Sequence, residues 1–138
     1  WYGVDCYLGG DHNELVRSIV LDNNNLVGTV GSGIWLLTQL IELDLSENQI
    51  DVDFDSVGGA SSLELLRLSQ TNITSIVGLG SSISLRELEL ASLGLTGSLP
   101  EDFFKLESLE RLVLDHNNLS GEVSRSIGDL SSLEELYL

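Results

Sequence analysis

The chain has 138 residues, with 22 acidic against 6 basic side chains and a formal charge of −16. That balance excludes nucleic-acid binding, which needs Lys and Arg against phosphates, and leaves basic partners, cations or plain solubility open. A hydrophobic content of 42% excludes a disordered acidic tail, and no apolar run is long enough for a transmembrane helix. Membrane attachment could come only through sequence outside these residues. The chain starts at Trp1, contains no Met and ends at Leu138 inside a hydrophobic pattern, so the expectation is a fragment of a longer protein.

In chain order, residues 1–15 come first and open with WYGVDC; Cys6 is the only cysteine, so nothing within the chain can pair with it. From residue 16 the pattern L-x-x-L-x-L recurs. Its starts are Val16, Leu40, Leu63, Leu85, Leu109 and Leu133, at spacings of 24, 23, 22, 24 and 24. Self-similarity at such a period over almost the whole chain marks a leucine-rich repeat array. Residues 16–138 hold five complete repeats and a truncated sixth.

The middle of each pattern predicts a short strand with side-chain period two, sending Leu88 and Leu90, or Leu112 and Leu114, inward. One repeat cannot bury those leucines alone, so neighbours must stack. The fold class is therefore α/β: a right-handed solenoid, or horseshoe, with a parallel concave sheet. Segments such as SRSIGDLSS return along the convex side as 3₁₀ turn or loop. Three residues past the last leucine of the pattern, Asn24, Asn48 and Asn117 form a candidate ladder whose amides satisfy open backbone groups. Thr71 could keep part of that bonding and Leu93 cannot, so the third and fourth repeats are expected to be the least regular.

The segments LVGTVG at 26–31, LTGSLP at 95–100 and LSGEVS at 119–124 follow the asparagine site, and only Pro100 keeps the proline of L-x-G-x-I-P. On them the array resembles the plant-type class of leucine-rich repeats, in which this segment forms a second short sheet on the flank. IDVDFD and ITSIVG in repeats two and three depart from the pattern. WYGVDC resembles the second half of that family's N-terminal cap, C-x-W-x-G-V-x-C, with matches at Trp1, Gly3, Val4 and Cys6. The resemblance implies that residues 1–15 are a cap remnant. It further implies that Cys6 is half of a disulfide to a cysteine upstream of Trp1, and that the protein is extracellular or at the cell surface. A buried, reduced Cys6 is the competing reading.

The outward strand positions define a concave face. Its third-position column is Ser18, Glu42, Leu65, Glu87, Arg111 and Glu135, and its fifth-position column is Val20, Asp44, Arg67, Glu89, Val113 and Tyr137. Arg67 is expected between Asp44 and Glu89, and Arg111 between Glu87 and Glu135, as weak exposed charge ladders. With Asp22, Glu47 and Asp115 just past the columns, eight acids against two arginines would steer a basic partner to this face. Arg111, Val113 and Tyr137 have hot-spot chemistry, and His116 follows Asp115 at the sheet edge. The candidate ligand-binding residues are Glu42, Asp44, Arg67, Glu87, Glu89, Arg111, Val113, His116 and Tyr137.

Asp51, Asp53 and Asp55 would share one face of an extended IDVDFD segment. Three carboxylates could serve Ca²⁺, but the run lacks the glycine and terminal glutamate of a calcium loop, which favours a solvated acidic edge and no metal. Phe54 belongs to the core. Two sequons, Asn72-Ile73-Thr74 and Asn118-Leu119-Ser120, place candidate glycosylation sites at Asn72 and Asn118 with side chains outward. No nucleophile–base motif, phosphate loop or zinc motif occurs, and His12 and His116 stand alone. The chain is expected to be no enzyme and to take no cofactor. The expected function is protein or peptide recognition, a basic ligand being favoured, in a receptor-like ectodomain. The alternatives are a secreted inhibitor of a cell-wall-degrading hydrolase or a structural matrix repeat.

Overall fold

A computed structural model describes residues 4–8 and 14–138, with side chains from Leu15 onward. Trp1, Gly3 and His12, and the side chain of Cys6, lie outside the described residues. Eleven strands are formed among the described residues: β1 Val4–Leu8, β2 Glu14–Val20, β3 Val27–Val30, β4 Glu42–Asp44, β5 Gln49–Val52, β6 Leu65–Arg67, β7 Glu87–Glu89, β8 Thr96–Gly97, β9 Arg111–Val113, β10 Asn118–Leu119 and β11 Glu135–Tyr137.

The main sheet runs β1-β2-β4-β6-β7-β9-β11. β1 and β2 are antiparallel, and every later neighbour is parallel. The proposed division after residue 15 falls inside β2. Register follows the repeat with no slip: Ile19, Leu43, Leu66, Leu88, Leu112 and Leu136 are aligned across the sheet. Leu43, Leu66, Leu88 and Leu112 are fully buried, as are the repeat-opening Leu40, Leu63, Leu85 and Leu109. A one-residue slip would turn all of these to solvent, so burial itself fixes the pairing.

The convex side is made of 3₁₀ turns at Ser32–Leu36, Val57–Gly59, Leu79–Ser81, Glu101–Lys105 and Arg125–Asp129. No α-helix occurs among the described residues, so the helical half of the α/β label is carried by these turns alone. Trp35 and Phe103 fill the interior beneath them with no exposure. Trp35 stacks on Phe54 at 6.2 Å between ring centroids, and its Nε1 donates to the Asp53 carbonyl at 2.6 Å.

The flank sheet is broken. β3 pairs with β5 and β8 with β10, both in parallel, but the third repeat contributes no strand. The departure of IDVDFD from the L-x-G-x-I-P pattern therefore does not cost repeat two its strand. Its apolar residues keep period two: Ile50, Val52 and Phe54 are buried while Asp51 and Asp55 are exposed. ITSIVG loses that period, because Ile73 and Ile76 are buried three apart and Val77 is 67% exposed. Irregularity thus falls on repeat three, whereas repeat four, expected to share it, pairs normally on the flank.

The two short repeats are accommodated on the convex side through close backbone contact. A Cβ at Gly59 would lie 2.8 Å from the Trp35 carbonyl oxygen, at Gly58 2.8 Å from that of Ser81, and at Gly80 1.8 Å from that of Asp102. Gly80→Ala is expected to destabilise by about 3 kcal/mol through overpacking, against little change for Gly33→Ala, where nothing lies within 4 Å. Chemical denaturation of the two variants checks this.

The asparagine ladder forms where its residues are present. Asn48 Nδ2 donates to the carbonyls of Leu21, Leu45 and Ser46, and its Oδ1 accepts from the N–H groups of Asn24 and Leu26. Asn117 does the same for Leu90 and Leu114, and for Leu93 and Leu95. Thr71 keeps one bond, Oγ1 to the Leu68 carbonyl, and Asn24 keeps one to Asp22. Asn48→Ala strands several buried groups and is expected to cost about 3 kcal/mol, against about 1 kcal/mol for Thr71→Val. Equal losses in urea unfolding would contradict the ladder's role.

Candidate recognition face

β2, β4, β6, β7, β9 and β11 send alternate side chains to one face, because strand periodicity that buries the leucines leaves their neighbours outside. The two outward columns align as the repeat predicts, Ser18–Glu42–Leu65–Glu87–Arg111–Glu135 and Val20–Asp44–Arg67–Glu89–Val113–Tyr137.

Of the expected ion pairs, Arg67 with Glu89 and Arg111 with Glu87 and Glu135 are formed, and Arg67 with Asp44 is not. Arg67 sits level with Asp44, yet its guanidinium reaches Glu42 at 2.9 Å, Glu87 at 3.3 Å and Glu89 at 3.9 Å. The long arginine leans diagonally into the neighbouring column, while Asp44 is held by its own turn through the Ser46 N–H at 3.0 Å. Arg111 contacts Glu135 at 3.1 Å, Glu89 at 3.9 Å and Glu87 at 4.0 Å. It also lies 5.0 Å from the Tyr137 ring centroid in cation–π geometry. The expected pair of isolated exposed ladders is instead one network, whose central side chains Glu42, Arg67, Glu87 and Glu89 are only 23–27% exposed. Burial works against the Arg67 charge, but Glu87, Glu42 and Glu89 outweigh it and raise its pKa.

Both arginines are thus spoken for internally. Asp22, Asp44 and Glu47 remain as acids toward the N-terminal half of the face, and Val113 and Tyr137 form an apolar and aromatic patch toward the other half. A further ladder at the second position of the repeat pattern, just before β6, β7 and β9, with Arg86 between Glu64 and Glu110, was not anticipated. Its signal is the column Glu64, Arg86 and Glu110, one position before the third-position column.

Neighbouring residues in an extended strand point apart. His116 instead adopts φ 58°, and its Nδ1 lies 2.5 Å from Asp115 Oδ2. It belongs to a column: Asn23, Glu47, Gln70, Ser92 and His116, one per repeat, all have φ between 49° and 58°. This left-handed residue turns the chain from the concave sheet to the flank.

Asn72 and Asn118 are exposed. Asp53 Oδ1 accepts from the Asp55 N–H and Asp51 Oδ1 from the Val52 N–H, so these acids serve the local backbone. Among the described residues no group of three or more His, Cys, Asp or Glu side chains is arranged to hold a metal ion.

Burial and the neighbouring Glu87 carboxylate raise the Glu89 pKa, against the opposing pull of Arg67 and Arg111. The ionised form is therefore a cost in the folded state at neutral pH, and the cost disappears as pH falls through the raised value. Glu89→Gln should raise Tm at pH 7, and the gain should shrink as pH is lowered into the carboxylate range. A gain that grows toward acid would contradict this reading of the cluster.

A family model described as leucine rich repeat matches residues 83–138. Receptor-like protein 41 of Arabidopsis thaliana is 31% identical over 125 residues, covering 87% of this chain and 14% of the relative. The chain spans 12 to 14% of the length of the first curated relatives it matches. Among solved structures, the ectodomain of the receptor kinase SOBIR1 from Arabidopsis thaliana is 26% identical with a TM-score of 0.77, the match covering 98% of this chain and 78% of that one. The Arabidopsis receptor kinase HAESA, solved with the peptide hormone IDA and the co-receptor SERK1, is 25% identical with a TM-score of 0.78, covering 100% and 28%.

Proposed function

Because the chain belongs to the leucine-rich repeat family and is similar to plant receptor-like proteins and receptor ectodomains, we propose that it is a non-catalytic recognition module from an extracellular, receptor-like protein. Its ligand is a protein or peptide with a basic segment. The observation that carries this reading is the six-strand face itself, with its two columns of outward side chains aligned from strand to strand. A peptide of HAESA's kind, bound in that protein's solved complex, is the model for the ligand's size.

The internal pairing refines which residues meet the ligand. Asp44, with Asp22 and Glu47 near it, offers carboxylates that no arginine occupies, and these would receive Lys or Arg side chains. Val113 and Tyr137 would receive an apolar or aromatic residue. Arg67, Glu87 and Glu89 stiffen the platform between them, and Glu42, Arg111 and His116 border it.

Panning a displayed peptide library against the chain tests the reading. Binders enriched in Lys or Arg, lost on Asp44→Lys and weakened at least tenfold by Tyr137→Ala, are expected. Binders indifferent to both substitutions would move the site off this face.

A further inference from the structure

We propose that Asn72 carries an N-linked oligosaccharide whose first sugar covers the gap in the flank sheet at the third repeat. The inference rests on the secretory reading above and adds to it a modification site with a structural task.

Residues 71–74 alternate, with Thr71 and Ile73 buried and Asn72 and Thr74 exposed. The acceptor amide and the sequon hydroxyl therefore emerge on the same outer face. The Asn72 backbone is anchored, its N–H donating to the Ile50 carbonyl at 2.8 Å, so the side chain has a fixed base. After Asn72 the backbone makes no strand pairing on the flank, and β5 and β8 have no strand between them. Here Val77 is exposed, and a shallow groove of about 160 Å³ opens. Thr74, Ser75, Thr96 and Ser98 supply hydroxyls to this groove, and Ile76, Leu95 and Leu99 supply apolar surface. A sugar ring has both chemistries, hydroxyls at its rim and C–H groups on its faces. Asn118 occupies the equivalent place in repeat five, where β10 continues the flank sheet from β8, so the interruption between neighbouring repeats lies at Asn72 and not there.

In the transfer, Asn72 Nδ2 bonds to the anomeric carbon of a lipid-diphosphate-linked oligosaccharide. The bond from that carbon to the diphosphate oxygen breaks, the lipid diphosphate leaves with the electron pair, and Nδ2 gives one proton to the transferase's base. The product lies on the flank, past the left-handed turn, and leaves the concave face open.

The test is secretion of the chain from eukaryotic cells behind a cleavable signal sequence, in an Asn118→Gln background. One glycan, removed by peptide N-glycosidase and mapped to residue 72 by mass spectrometry, is expected. It should vanish in Asn72→Gln and in Thr74→Ala and persist in Thr74→Ser. An unmodified Asn72 overturns the proposal if Leu36→Asn is glycosylated in the same cells; Leu36 is 79% exposed, and Thr38 completes its sequon. Enzymatic removal of the glycan should increase hydrophobic-dye binding, and Val77→Ser should abolish that increase. No increase overturns the covering role. An Asn72 glycosylated in these cells but bare in protein from its natural source would overturn the secretory reading and leave the site intact.

Discussion

Every feature of this molecule depends on one constraint: no repeat can bury its own leucines. Leu43, Leu66, Leu88 and Leu112 are each fully buried only because the strand on either side supplies a leucine or isoleucine at the same level. The contact is local in space and regular in sequence, so the alignment of one pair enforces that of the next. Once it holds, the outward columns have no freedom left. The concave face is therefore a by-product of core packing, and its chemistry can vary without touching the fold.

That division explains what could be read from the residues alone. The strand starts, the inward leucines, the buried Phe54 and both outward columns follow from a period of about two dozen residues and alternation within a strand. Ion-pair partners followed only in part, Arg111 meeting both expected glutamates and Arg67 one of its two expected acids, because register gives the level of a Cα and not the reach of a side chain. Arg67 is long enough to leave Asp44 for Glu42 and Glu87, and only the relative positions of all the acids decide where it goes. The left-handed column was equally hidden. Asn23 and His116 are residue types that tolerate φ > 0, but Glu47, Gln70 and Ser92 carry no such sign.

Repeats two and three show how the array tolerates imperfect units. Repeat two loses the flank consensus but keeps the alternation beneath it, and its flank strand survives. Repeat three loses the alternation, and the strand goes with it. Neither loss reaches the main sheet, because Asn48 and Thr71 still tie the turn after each strand to carbonyls near it. Polar satisfaction at the turn separates the two sheets energetically, so damage on one side stays there.

The glycine contacts on the convex side bear on the curvature of the solenoid. Hydrogen bonding fixes the strand spacing on the concave side at about 4.8 Å, so the bend of the arc is decided by how far apart the outer turns stand. At Gly58, Gly59 and Gly80 the outer backbones have already closed to the point where a single methyl group would not fit. These three residues set the flattest arc the molecule can adopt between repeats one and four. A larger side chain at any of them would wedge the turns apart and tighten the bend. The width of the groove offered to a ligand is thus governed from the far side of the molecule, by residues that no ligand touches.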